Sequence, residues 1–528
     1  MIKGYWVPVL HSHLPFVKHP KYDYFLEEQW LFEAITECYI PLLKNLKKLE
    51  EENIPCSLTV SVTPPLSSML DDRHLMEKYA KHLETQIELG KKEIQRTKYD
   101  DNFKDISRYY YKLYVETKEF FDGFLEKNIL NGYRYFNDKG SIEVITCGAT
   151  HGFLPLLSVN KKAVEVQIEL AVQSHKKHFG KQPRGIWLPE CAYYDGLDEI
   201  LKENSIEFFF VDSHSLVYSE PTSINGVYAP VYSHKGVAAF ARDPHSAKQV
   251  WSSKEGYPGD TNYRDFYRDI GYDLEFDYIK DHIDPSGDRG FTGFKYHKIT
   301  GNSDYKEVYD PKVAYDKTVE HAKDFHKNRE LQFEFLSSHM DRTPMVVSPY
   351  DAELFGHWWF EGPDFLYNIF KEIDKHKVFK AVTCVEYLSM YPKNQVVAPS
   401  ASSWGDQGYF DVWLNEGNSW IYKHLHQMAN SMTELANRYS TGVSFDKHRV
   451  LNQLARELLL AQSSDWAFLI TTTTAVEYSQ RRTKEHIYNF NRLVEMIDGK
   501  IDYEMLHELE YKNSIFDFLD YKIYCTHR

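Results

Sequence analysis

The feature that most limits what this chain can become is a rhythm of short apolar runs, each breaking into a polar or titratable residue. Tyr5 to Leu10 ends in HSHLP, Ser57 to Val62 stops at Thr63-Pro64-Pro65, and Ile142 to Thr146 leads into CGATHGFLP and His151. Gly185 to Leu188 delivers Glu190, Phe208 to Val211 delivers Asp212 and His214, and Val237 to Ala241 delivers Arg242 and Asp243. Met345 to Val347 leads towards Asp351, and Ala381 to Thr383 towards Glu386. Such runs, separated by helical stretches, predict buried parallel strands covered by helices. Polar groups collecting at strand ends predict a β/α barrel with its site on the C-terminal face. The richest of these ends is PMVVSPYDAELFGHWWFEG, residues 344–362, which carries Asp351, Glu353, His357, Trp358, Trp359 and Glu361.

The intervals between the runs are uneven. Residues 27–50 show helical spacing, with Pro41 expected to break or kink the helix. The interval from about 66 to 137 is rich in Lys, Glu and Tyr and reads as a helical insertion. Residues 251–344 are polar and irregular, as in EGYPGDTNYRD and DPSGDRGFTG, and read as a long loop region of the functional kind. After Pro399, helical patterns at 419–440, 446–462 and 475–498 predict an all-helical domain over 400–528, so the barrel is assigned to 1–399.

Composition excludes several classes. A net charge of −15 argues against a nucleic-acid partner, because phosphate binding needs concentrated Lys and Arg. No stretch approaches a membrane span, and His11 and His13 interrupt the N-terminal apolar run that a secretory signal would need. Six cysteines (Cys38, Cys56, Cys147, Cys191, Cys384, Cys525) lie scattered without a CxxC pair, as expected for reduced thiols and a cytoplasmic address. Aromatic residues reach 15%, and such faces stack well on sugar rings.

Two chemistries compete for the strand ends. His11 and His13 alternate onto one side, and with His151 and His214 they would suit Zn²⁺ in a metal-dependent amidohydrolase. Against it, the last run ends in Glu386 and no middle run ends in lysine. A glycosidase instead needs two carboxylates, one attacking the anomeric carbon while the other protonates the leaving oxygen. Glu190 and Asp351 fit, each after an apolar run and among aromatics, but position alone does not separate them from Glu353, Asp243 or Asp212. Cys191 reads as a buried, inert thiol. A glucan-binding protein without catalysis is the third reading.

HSHLP, CGATHGFLP, GIWLPECAYY, SPYDAELFGHWW and AQSSDWAFLI resemble, in order, the five conserved regions of glycoside hydrolase family 57. The resemblance covers nearly the whole chain and is greatest to the family's α-1,4-glucan branching enzymes, some of which are labelled α-amylases. It implies an α/β fold: an incomplete (β/α)7 TIM-like barrel with a helical insertion and an all-α C-terminal domain that helps wall the cleft. It implies a retaining mechanism without metal or cofactor, with Glu190 as nucleophile, Asp351 as general acid/base and their carboxyls roughly 5–5.5 Å apart. His11, His13 and His151 would surround the cleaved bond, and Asp465 would reach it from the C-terminal domain. Trp251, Trp404 and Trp413 would line the cleft, with Arg242 among the substrate-binding residues. The expected partner is an α-1,4-glucan (amylose, glycogen or maltodextrin), with no nucleic acid and no membrane. The subgroup's tyrosine-tipped lid matches YAPVYSHKG, with Tyr228 or Tyr232 at its tip, and that segment is short. A 4-α-glucanotransferase or a hydrolytic α-amylase is the alternative within the family.

Overall fold

The computed structural model describes residues 2–22, 24–252, 255–284, 287–301 and 303–526. Pro285 and Ser286 of the DPSGDRGFTG run, and Ser253 closing KQVWSS, lie outside the described residues. Every apolar run forms a strand: β1 (Tyr5–Ser12), β2 (Leu58–Val62), β3 (Ile142–Cys147), β4 (Gly185–Trp187), β5 (Phe208–Val211), β7 (Ala238–Ala241), β8 (Met345–Asp351) and β9 (Lys380–Ala381), with a two-residue β6 (Val231–Tyr232) added. Their hydrogen-bonded order is β6-β7-β5-β4-β3-β2-β1-β8, and β9 pairs with the start of β1. β6 and β7 are antiparallel; the other pairings are parallel. The seven longer parallel strands curl until Asp243, just past β7, donates its N–H to the Val347 carbonyl of β8 at 2.9 Å. No ladder joins β7 to β8, so the barrel is incomplete.

Strand alternation then decides which side chains look inward. Val7 and Val9 on β1, Ile145 and Cys147 on β3, Trp187 on β4 and Met345 and Val347 on β8 pack into one buried cluster inside the barrel. Trp6, Leu10, Val144 and Val346 point the other way, into the larger core beneath the helices. Each such side chain taken fully out of water stabilises the fold by about 1.5–3 kcal/mol. The same parity carries His11 and Asp351, at the C-terminal ends of β1 and β8, to the barrel's inner rim. The register puts His11 level with both Ser61 and Asp351.

Three expectations are revised by the structure. Pro41 does not end the helix, and the irregularity beside it is a π-turn: Ile35–Tyr39 joins the helices Leu26–Ala34 and Ile40–Glu51, and Ile40 donates to the Ile35 carbonyl five residues back. A proline offers no N–H to the carbonyl four residues earlier, here that of Glu37. Gly356 packs against that carbonyl at φ +124°, where an added Cβ would come within 1.8 Å of the Glu37 oxygen. The widened turn thus seats the loop that follows Asp351, in keeping with the concentration of π-turns at functional sites.

The 251–344 region is not a loop throughout. Pro311–Ser337 is a 27-residue helix whose N-cap, Asp310, accepts from the backbone N–H groups of Lys312 and Val313. An Asp-Pro start signal was present in the sequence, but charged residues on most sides of the helix obscured its apolar stripe. Finally, YAPVYSHKG is no lid. β6 pairs with the beginning of β7, Tyr232 donates its hydroxyl to the Pro392 carbonyl at 3.3 Å, and the Tyr228 carbonyl accepts from Met345 N–H at the start of β8. Both tyrosines sit at the N-terminal ends of the strands, away from the site.

The interval 66–137 is helical as expected, with helices at Arg73–Arg96, Lys104–Asp122 and Ile129–Lys139. Beyond residue 400 come helices at Trp420–Arg438, Phe445–Ala461, Asp465–Thr471, Val476–Asp498 and Tyr503–Lys512. Among the described residues no helix is long and apolar enough to cross a membrane.

Candidate active site

Three histidines from two strand ends meet at the barrel rim. His11 and His151 face each other through their Nε2 atoms at 3.0 Å, and His13 stacks on His151 with ring centroids 3.8 Å apart. His11 in turn stacks on Trp187, at 4.7 Å. The remaining ring nitrogens also have partners. His11 Nδ1 meets Ser61 Oγ at 3.1 Å, His13 Nδ1 meets Thr63 Oγ1 at 3.1 Å, and His151 Nδ1 meets Ser464 Oγ at 2.8 Å. His13 Nε2 lies 3.0 Å from Asp465.

Their protonation differs. Burial, reinforced by the neighbouring imidazoles, holds His11 and His151 well below the usual histidine range, so both are neutral. Burial also opposes charge on His13, but the Asp465 carboxylate outweighs it, with help from Glu353 and Glu190, and raises its pKa. Asp465 is lowered in return: burial would push it up, and the His13 charge and hydrogen bond pull it down further.

His11 and His13, expected together around the cleaved bond, therefore differ in protonation. His11 and His151 are 2% and 3% exposed with every nitrogen engaged, and His13 favours its charged form. The three form the floor of the site. The same geometry counts against a metal. The trios His11–Cys147–His151 and His13–His151–Asp465 bring ligand atoms within 4.8 Å. Imidazole lone pairs lie in the ring plane, however, so face-stacked His13 and His151 do not converge on one ion. His214 is elsewhere, 2.7 Å from the Gly408 carbonyl, and Glu386 closes a capping box with Thr383.

The carboxylates fall into distinct environments. Glu190 lies in the tight turn after β4 with φ +61°, followed by Cys191 at +50°; His151 holds +58°. Such left-handed non-glycine residues cost on the order of 1–3 kcal/mol each and persist where the surroundings impose them. Here the imposed turn aims the Glu190 side chain at two donors: Trp404 Nε1–H reaches Oε2 at 2.8 Å, and Ser464 O–H reaches Oε1 at 2.9 Å. Burial raises the Glu190 pKa while these two bonds oppose the rise. Asp351 has no such help: among the described residues no donor reaches its carboxyl. Burial first, then the charges of Glu353 and Glu190, push it well above the carboxylate range. The site therefore holds one carboxyl supported as an anion beside one favoured as an acid.

The other candidate acids are accounted for. Glu353 accepts from Tyr39 O–H at 2.6 Å and His13 N–H at 3.1 Å. Asp243 caps the helix Pro244–Trp251 and binds Arg329 and Gln332, and Asp212 pairs with Arg242. Cys191 is buried and its thiol pushed up.

Arg242 and Asp212 line a recess of about 400 Å³ with His214 and the Gly405–Tyr409 loop. Trp251, 36% exposed, meets Trp404 edge to face at 6.0 Å, which places the pair beside Glu190. Trp413 does not line the cleft. It is 1% exposed, stacked on Phe153 at 4.5 Å, and props the Trp404 loop through close packing at Gly405. Sequence reasoning missed Ser61, Thr63, Ser464 and Tyr39. The first two repeat at the end of β2 the alternate spacing of His11 and His13 at the end of β1, and that signal could have found them.

Known proteins share this architecture. The 1,4-alpha-glucan branching enzyme of Thermococcus kodakarensis is 34% identical over 98% of this chain and 78% of its own length. The crystal structure of the alpha-amylase AmyC from Thermotoga maritima is 46% identical, covers 99% of both chains and superposes with a TM-score of 0.93. The GH57-type branching enzyme from Pyrococcus horikoshii is 34% identical, covers 100% of this chain and 98% of its own, with a TM-score of 0.88. Residues 424–524 match the model of the 1,4-alpha-glucan branching enzyme C-terminal region. Residues 8–399, the barrel and both pieces of chain inserted in it, match the model of glycosyl hydrolase family 57, and the chain belongs to that family.

Proposed function

We propose that the protein is a retaining 1,4-α-glucan branching enzyme with Glu190 as nucleophile and Asp351 as general acid/base. Ionised Glu190 attacks the anomeric carbon while Asp351 gives its proton to the leaving glycosidic oxygen. Esterification removes the Glu190 charge, so Asp351 can ionise and take the proton of an incoming 6-hydroxyl. That hydroxyl displaces Glu190 and forms an α-1,6 branch. The observation that carries the pair is the contrast between Glu190, held by two donors, and Asp351, held by none and pushed up.

The acceptor subsites belong to Trp251 and Arg242 on the rim, and the substrate is an α-1,4-glucan chain such as amylose, maltodextrin or the outer chains of glycogen. The chain is organised as a barrel over 1–399 and a helical unit over 400–528, and Trp404, Ser464 and Asp465 bring the second to the site. Its six free cysteines accord with a reducing, cytoplasmic setting.

A second reading, hydrolytic α-amylase, has specific support: the 46% identity to AmyC and the placement of YAPVYSHKG away from the cleft. Both fates share the Glu190 ester, and the outcome depends on whether a glucan hydroxyl or water arrives first. Proton NMR of amylose digests, counting new α-1,6 linkages against new reducing ends, separates them. Branches with minor hydrolysis are expected; reducing ends without any α-1,6 signal make the protein an amylase.

A further inference from the structure

Ser464 occupies a helix N-cap yet does not act as one. It precedes the helix Asp465–Thr471, and its side chain makes no capping hydrogen bond. A serine there ordinarily contributes about 1 kcal/mol by accepting from the first turn. Instead its hydroxyl, 2% exposed, stands between His151 Nδ1 at 2.8 Å and Glu190 Oε1 at 2.9 Å. Its backbone N–H donates to the His151 carbonyl at 2.9 Å and fixes it in place.

The direction of each bond follows by elimination. An ionised carboxylate only accepts, so Ser464 O–H donates to Glu190. A hydroxyl has a single hydrogen, so His151 Nδ1 must carry a proton and donate to Ser464. A neutral His151 then has a bare Nε2, which accepts from His11 Nε2–H across 3.0 Å. A neutral His11 in turn has a bare Nδ1, which accepts from Ser61 O–H at 3.1 Å. The whole chain runs one way, Ser61 to His11 to His151 to Ser464 to Glu190.

We infer that Ser464 is a positioning residue that terminates this one-way chain and, with Trp404, fixes both oxygens of Glu190 as acceptors, so that the nucleophile stays ionised inside the barrel. A proton on Oε1 would take the place of the Ser464 hydrogen in that bond and leave the Ser464 O–H without its acceptor unless the chain reversed. The proposal rests on Glu190 being the nucleophile. Its consequences reach both half-reactions: the carboxylate is supported when it attacks and again when it leaves the ester. The other groups facing Glu190 are His13 and His151, the carboxyls Asp351 and Asp465, the thiols Cys147 and Cys191, and Tyr422. Ser464→Ala leaves all of them in place.

The test is the pH profile of kcat/KM on amylose for the full-length chain. A charge-assisted hydrogen bond of about 1.5–3 kcal/mol corresponds to a rise of roughly one to two pH units in the acid limb of Ser464→Ala. Ser464→Thr, which keeps the hydroxyl, should return the limb towards the parent. Should Ser464→Ala fail to fold, Ser464→Cys, a weaker donor of similar size, should show a smaller shift in the same direction. An acid limb unmoved in Ala or Cys while activity falls equally at every pH gives Ser464 a merely structural role and overturns the proposal. Histidine ring ¹⁵N shifts give an independent readout: His151 should be protonated on Nδ1 and His11 on Nε2, and the opposite tautomer at His151 overturns the chain. Glu190→Gln distinguishes the two levels of the argument. If that variant is active, the nucleophile assignment itself fails; if it is inactive and the Ser464 limb does not move, only the positioning role fails.

Discussion

Replacing Asp465 by Asn tests whether the helical unit is tied to the barrel through a charge pair. His13 Nε2 lies 3.0 and 3.2 Å from the two Asp465 oxygens, with the side chains 11% and 18% exposed. Removing one partner of a buried pair costs about 3–5 kcal/mol, and the residual exposure here favours the lower end. With an unfolding entropy of about 2.1 cal/mol/K per residue, a loss near 3 kcal/mol in a chain of this length lowers Tm by roughly 3 °C.

The effect has a defined pH window. Asp465 is depressed on folding, so its contribution exists above its unfolded value of 3.8 and is lost as pH falls through the lower folded value. His13 is raised, so its contribution is complete below its unfolded value of 6.5 and is lost as pH rises through the higher folded value. Both are present together between about pH 4 and 6.5. Calorimetric midpoints of parent and Asp465→Asn, measured from pH 4.5 to 9, should differ most at the acidic end and converge on the alkaline side. The midpoint gap is the readout because a chain of this length need not unfold in two states. A gap that stays constant with pH, or widens above pH 7, refutes the ion pair.

Two further outcomes follow from the same geometry. Trp404→Phe keeps an aromatic face but removes the donor to Glu190 Oε2, and kcat on amylose should fall about 10- to 150-fold; an unchanged rate means Glu190 does not depend on that bond. Prolonged treatment with a strong chelator should leave activity untouched, because the histidine nitrogens are already partnered; stoichiometric zinc lost together with activity would reverse that reading.

The sequence alone determined what depends on local pattern. Strand positions were legible because a buried parallel strand must be apolar along its length, and the polar residue that ends each run marks the rim. Alternation placed His11 and His13 on one side, and the same parity carried Asp351 inward although β8 runs four residues past its apolar run. The helices beyond residue 400 were readable from their 3.6-residue periodicity. The Pro311–Ser337 helix was not, because charge on most of its surface hides the stripe.

Tertiary structure alone decided how those residues act. Nothing in the linear pattern separates Glu190 from Asp351, since both are acids after apolar runs among aromatics. The difference comes from donors hundreds of positions away, Trp404 and Ser464, which reach Glu190 and leave Asp351 bare. Nor could sequence distinguish Trp251 at the rim from Trp413 packed on Phe153, because the exposure of a tryptophan depends on what folds against it. The charge of His13 and the neutrality of His11 have the same origin. Identical side chains two residues apart diverge because one meets the Asp465 carboxylate and the other is buried among imidazoles with no carboxylate to offset them. A pKa is a property of the surroundings, and those are assembled only when the helical unit closes on the barrel.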